Sequence, residues 1–188
     1  MLFIFPKPIP LNYVEKTCLV CHNESEQELI ENVYTRFDKV KASQYQLEKL
    51  LVKAHFEAQK AWELGATEEQ MNDALMDIRH AQWRWGYVAN SHGAPFHSPI
   101  ECLRIYNTGI DIAQNARLKL ARILADLGFN KEVPVPDIST KAKAQEVVGL
   151  DMEKLDRQKE TFMEEVVPEW EEKAAEREKS YDVKELEE

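Results

Sequence analysis

The residues most able to do chemistry are two cysteines and a histidine in the run Cys18-Leu19-Val20-Cys21-His22. Two thiols three positions apart, followed at once by an imidazole, are typical of the covalent attachment of haem c. Each thiol adds to one of two vinyl groups on neighbouring pyrroles, so the sulfurs must lie close together. The adjacent histidine can then reach under the ring and bind the iron. The pentapeptide Cys18–His22 therefore predicts a redox cofactor that carries out the electron chemistry itself.

Other uses of a Cys-X-X-Cys pair fit the rest of the chain less well. A structural zinc ion takes four Cys or His ligands, but the only other cysteine is Cys102 and no second Cys-X-X-Cys pair exists. A thiol–disulfide redox site is expected near a βαβ pattern, which the sequence does not show. Haem attachment is thus the leading interpretation, with a metal or redox site and a chance match as the alternatives.

Composition and charge exclude some classes of partner. The chain has 188 residues, enough for one domain with a sizeable core, and a formal net charge of −10. An acidic balance argues against nucleic acid and anionic membrane surfaces, and fits an electron-transfer protein steered towards a basic partner. The apolar run Leu2–Phe5 is too short for a signal-peptide core, and no small-residue cleavage site follows it. We therefore expect no signal peptide in this chain.

Helical signals dominate, and no strand pattern competes with them. Apolar residues at three-and-four spacing, followed by Gly65, predict one long helix over 25–64. A capping box at Thr67–Gln70 begins a second helix, which gives way at the loop 90–97. Ser98–Glu101 reads as a further capping box, with a proline at the first helical position.

The remaining segments complete an all-α fold of long antiparallel helices. Gly128 ends the third long helix, residues 131–138 form an extended connector, and Pro168 kinks a last charged helix that begins after Asp151. The predicted organisation is one domain in three segments: a haem-attachment segment (1–24), a long-helix bundle (25–130), and a connector with C-terminal helices (131–188).

A six-coordinate haem iron needs a second axial ligand, and four further histidines are candidates. His55 is interpreted as a solvated helix residue, and His80 as a surface residue or a partner of a haem propionate. His92 and His97 lie in the loop between two capped helices, a place where rigid elements hold ligands. His97 is favoured, because the helix that starts at Ser98 fixes its position.

Several longer runs then suggest a family. They are Asn32-Val33-Tyr34-Thr35-Arg36, His80-Ala81-Gln82-Trp83-Arg84-Trp85, Ser91-His92-Gly93, His97-Ser98-Pro99, residues 133–141 and residues 166–171. With the pentapeptide, and in this order, they resemble the C-terminal region of ammonia-forming cytochrome c nitrite reductase, the pentahaem cytochrome c552 family. The resemblance covers nearly the whole chain.

The resemblance implies a periplasmic homodimer of a multihaem enzyme with five haems, which reduces nitrite to ammonium with six electrons. Long C-terminal helices would hold the dimer, and a quinol-oxidising or small multihaem cytochrome would donate electrons. It implies that Cys18 and Cys21 attach the last haem c and that His22 is its proximal iron ligand. His97 would be the distal ligand of a different haem.

The departures from the family pattern matter equally. The family attaches its catalytic haem through a CxxCK motif, which this chain lacks, and no second CxxCH motif is present. The family's active-site residues and calcium site lie upstream of the matched region. We therefore expect a C-terminal part that does not reduce nitrite alone. The alternatives are a stand-alone monohaem electron carrier, with His97 as sixth ligand, and an apo helical interaction module.

Overall fold

The computed structural model describes residues 13–181, which leaves the run Leu2–Phe5 outside the described residues. Of the described residues 77% are helical and none lies in a strand, so the all-α prediction is confirmed. The helices are α1 Val14–Thr17, α2 Glu26–Glu63, α3 Glu68–Ala89, α4 Ala94–His97, α5 Pro99–Asp126, α6 Lys141–Val147, α7 Met152–Thr161 and α8 Val167–Glu178. A π-helical turn, Phe162–Val166, lies between α7 and α8. No helix among residues 13–181 is both long and apolar enough to cross a membrane.

The longest element, α2, is one uninterrupted helix, as predicted. Its start is fixed by a capping box: the Ser25 hydroxyl accepts from the Glu28 N–H at 3.3 Å, and the Glu28 carboxylate accepts from the Ser25 N–H at 3.0 Å. Gly65 ends it with a left-handed φ of 89°, which favours glycine. At 1.5 Å per residue, its 38 residues span about 57 Å.

Contacts between α2 and α3 show that these two helices run antiparallel. His55 Nε2 lies 3.3 Å from Gln82 Oε1, and Trp85 Nε1 donates to Glu48 Oε1 at 2.8 Å. Higher numbers on α3 therefore face lower numbers on α2. The short connection over 64–67 requires this arrangement.

Helix α5 packs against both α2 and α3 and runs parallel to α2. Arg117 forms a bidentate ion pair with Glu57, with nitrogen–oxygen distances of 2.6 and 3.0 Å, while Lys119 pairs with Asp77 of α3 at 2.6 Å. Both ends of the Glu57–Arg117 pair are largely shielded from water, so it ties the two helices together more firmly than an exposed pair would.

The core lies among these three helices. Its fully buried side chains include Leu47, Ala54, Met71, Ala74, Ala81, Tyr106, Ala113 and Leu120, which lie at helical spacing along their helices. Trp62 and Leu75 also lie at three-and-four spacing from core residues of their helices, but they are 41% and 37% exposed. These two residues lie at the edge of the apolar face of their helices, and this face is wider than the area in contact with the neighbouring helices.

The predicted loop 90–97 and the predicted capping box at Ser98 are both corrected by the structure. Residues 94–97 form the helical turn α4, with Pro95 near its start. Ser98 closes α4 by donating its N–H to the Ala94 carbonyl, and its side chain makes no cap hydrogen bond to α5. Glu101 pairs with Arg104 rather than with the backbone of Ser98.

Residues 136–181 form a unit separate from the bundle unit that ends at residue 135. Asp151 caps α7 as predicted, accepting from the Lys154 N–H at 2.9 Å. Where the sequence predicts a kink at Pro168, the helix contains a five-residue π-helical turn just before it. Hydrogen bonds from Lys143 and from Ser139 hold the pKa of the Asp137 carboxyl well below its usual range.

Helix α5 packs closely against α2 at Gly109. A methyl group added there would lie 2.8 Å from Cδ2 of the buried Leu47, whereas one added at Gly86 of α3 meets nothing within 4 Å. Alanine is the better helix former by about 1 kcal/mol, so we expect Gly86→Ala to stabilise the fold. Gly109→Ala should carry an overpacking cost of about 1–3 kcal/mol relative to it. Chemical denaturation measures the difference, and equal stabilities would show that Leu47 moves aside freely.

Candidate functional site

The pentapeptide forms a tight turn directly after α1. The N–H groups of Cys21 and His22 both donate to the Cys18 carbonyl, at 3.1 and 3.0 Å. This turn gathers the three side chains that the motif predicts into one short segment. Cys18 is half-buried, Cys21 is exposed, and both thiols are free, so both are accessible to a reaction partner.

His22 is held by a carboxylate two residues further along the chain. Its Nδ1 lies 3.5 Å from Glu24 Oε2. An imidazole with Nδ1 turned to a carboxylate presents Nε2 to a metal, and such a partner orients the ring. The local turn thus leaves one nitrogen of His22 available as a ligand.

A cleft of about 360 Å³ opens beside the pentapeptide. Three parts of the chain line it: the α1 end and its turn, the first half of α2, and α4. Its walls are formed by Thr17, Cys18, Cys21, His22, Glu24, Leu29, Asn32, Val33, Arg36, Phe96 and His97. Such a volume falls within the range of ligand pockets in proteins. The structure therefore brings Cys18, Cys21, His22 and His97 to one cleft.

His97 reaches this cleft as the last residue of α4. The Phe96 and His97 rings pack against each other with centroids 4.6 Å apart. Arg36 Nη1 donates to the Phe96 carbonyl at 2.9 Å, which links the short helix to α2. The position of His97 is therefore set by a contact across 60 residues of sequence.

The other histidines lie away from the cleft. His55 hydrogen-bonds Gln82 between α2 and α3, and His80 is exposed on α3. His92 lines a separate cavity of about 50 Å³ with Tyr106 and Gln44, where burial raises the pKa of the Tyr106 hydroxyl. The structure therefore separates these three from the pentapeptide and retains His97 as the histidine that faces it together with His22.

The third thiol has a different environment. Cys102 is buried in the core with 2% exposure. Burial, together with the nearby charge of Glu101, raises the pKa of this thiol. Cys102 is consequently less ionised than an ordinary cysteine and contributes packing rather than reactivity.

Several residues of this cleft were not predicted from the sequence. Arg36 and Asn32 belong to a run noted only for its family resemblance, and Phe96 stood out only as a neighbour of His97. Glu24 lies two positions after His22, a spacing that was the available signal for a second partner of the imidazole. The contact of Arg36 with Phe96 has no local signal.

The residues present fit a covalently bound haem c. Two accessible thiols lie on one tight turn, and an imidazole with a free Nε2 follows them at the edge of an open cleft. In the described part of the chain, no group of three or more His, Cys, Asp and Glu side chains is placed to hold a bare metal ion.

Comparison with known proteins bears on the same residues. Proteins named cytochrome c-552 from Porphyromonas gingivalis and Bacteroides fragilis are each 52% identical to this chain over 165 residues, and one from Bacteroides thetaiotaomicron is 51% identical. The aligned part is 88% of this chain but 33–34% of those proteins. The chain therefore spans about a third of the length of the curated relatives it matches.

A family model described as cytochrome c552 matches residues 8–180. The matched range includes the pentapeptide, the α2 face of the cleft and the His97 turn. The family implies haem c and electron transport, in agreement with the chemistry of the cleft. The chain therefore belongs to the cytochrome c552 family.

Proposed function

We propose that this chain holds one haem c through Cys18 and Cys21, with His22 as its axial ligand, and that it acts as the C-terminal part of an ammonia-forming nitrite reductase. The observation that carries the proposal is the cleft itself. Two accessible thiols and two histidines line it in a chain of the cytochrome c552 family.

In this proposal each cleft residue has a separate task. A haem c bound there supplies one-electron transfer at its iron. Cys18 and Cys21 would hold the haem through two thioether bonds, and His22 would supply the nitrogen that binds the iron. Glu24 sets the orientation of His22 from the opposite nitrogen.

His97 is proposed to serve a second, neighbouring haem as its distal ligand. Its place at the end of α4 exposes the imidazole, and no second attachment motif exists in this chain. The neighbouring haem would thus come from the remainder of the full-length protein, whose relatives are about three times longer. Six-electron reduction of nitrite would belong to that whole protein, a periplasmic homodimer joined by its long helices and supplied by a cytochrome electron donor.

The isolated chain has no CxxCK motif and is expected to form no ammonium from nitrite. The family's calcium site is likewise assigned to the remainder of the protein. The contribution of this chain is electron transfer and subunit association.

Attachment is tested by replacing the thiols one at a time. We expect Cys18→Ala and Cys21→Ala each to lose one thioether bond, because each sulfur adds to its own vinyl group. The matched control is Cys102→Ala, which removes a thiol outside the cleft. Pyridine haemochrome spectra of protein made with a haem c maturation system measure the loss of each bond. An unchanged spectrum for either cleft variant would contradict the assignment.

The role of His97 is tested by the spectrum of the haem-loaded chain. If His97 serves a neighbouring haem, His97→Ala should leave the absorption spectrum of this chain's own haem unchanged. His22→Ala should alter it strongly, since that ligand binds the iron directly. A change from low-spin to high-spin iron in His97→Ala would instead favour the stand-alone monohaem carrier, an alternative that the shared cleft allows.

A further inference from the structure

Among the described residues that line the cleft, Arg36 is the one lysine or arginine. It projects from the first half of α2, and one of its N–H groups donates to the Phe96 carbonyl. Among residues 13–181 it has no carboxylate partner within ion-pair distance. The described part of the chain therefore offers no carboxylate to pair with this positive charge at the edge of the cleft.

A guanidinium in this position has unused binding capacity. It carries five N–H donors in a planar fork. The Phe96 carbonyl takes one donor group. Glu24, the one acidic side chain among the described residues of the cleft, lies beside His22 instead. The free donors of Arg36 suit a carboxylate, which such a fork binds through two parallel hydrogen bonds.

Haem carries two carboxylates on its propionate arms, and the thioether bonds fix which way the ring lies. We propose that Arg36 is a positioning residue of this site, which pairs with a propionate of the haem attached at Cys18 and Cys21 while it holds the His97 turn against α2. The inference rests on the proposed function, because it requires the haem to occupy this cleft.

The hydrogen bond to the Phe96 carbonyl and the proposed pair with a propionate together let Arg36 link two parts of the site. The Phe96 carbonyl lies at the C-terminal end of α4, where the last carbonyls of a helix have no partner within it. Arg36 satisfies that carbonyl, and the Phe96 ring packs on His97. One guanidinium therefore connects the acid group of one haem to the residue proposed as ligand of the next.

The experiment compares the reduction potential of the haem in three variants of the full chain. Arg36→Gln removes the charge, and Arg36→Lys keeps it. The control, Arg122→Gln, removes an exposed charge of α5 that does not line the cleft. A cation beside a propionate disfavours the extra positive charge of oxidised iron, so we expect a lower potential in Arg36→Gln, an almost unchanged one in Arg36→Lys, and no change in the control.

Ionic strength separates the charge from a packing effect. The difference between wild-type chain and Arg36→Gln should shrink as salt is raised, because screening weakens the interaction of exposed charges. A difference that stays constant with salt, or an equal shift in Arg36→Lys, would overturn the proposal in favour of a purely structural role.

The outcomes also distinguish this inference from the proposed function. Equal potentials in wild-type chain and Arg36→Gln, with haem attached in both, would reject the role of Arg36 and leave the haem site standing. Absence of covalent haem from the wild-type chain would reject both. Loss of haem from Arg36→Gln but not from Arg36→Lys, at unchanged helicity by circular dichroism, would support the need for the charge, and loss from both would count against it.

Discussion

The site depends on the continuity of α2. The first half of this helix forms one wall of the cleft, and its second half packs against α3 and α5. The buried apolar contacts with α3 and α5, together with the ion pair of Glu57 with Arg117, fix the second half. Because a continuous helix is rigid, fixing its second half also fixes its first half, which carries Arg36 and forms the wall of the cleft. A break in α2 would separate the cleft from the core that supports it.

The pentapeptide turn and α4, which are far apart in sequence, both line the cleft. The pentapeptide turn and α4 are both short, and each leaves its chemistry-bearing residue exposed. The hydrogen bond from Arg36 attaches the His97 turn to α2. This arrangement suits a site whose largest component is the cofactor, since the macrocycle supplies apolar surface that the polypeptide lacks.

Local signals accounted for the long helices. The capping boxes at Ser25 and Thr67 and the glycine at position 65 act within a few residues, so sequence spacing suffices to place the helix ends. The pentapeptide and the preference for His97 were equally accessible from residue types. The predicted capping box at Ser98 is wrong: this residue closes α4, and its backbone, with a ψ of 56°, is not in the extended conformation of the N-caps of α2 and α3. Arg36 could not be assigned, since its partner lies 60 residues away.

The central claim is that the thiols of the pentapeptide carry the cofactor. The most direct measurement is mass spectrometry of the intact chain produced with a haem c maturation system, followed by peptide mapping. The account predicts the added mass of one haem per chain, located on the peptide that contains Cys18 and Cys21. A chain of unmodified mass, or haem that is removed by acidic organic solvent, would contradict it.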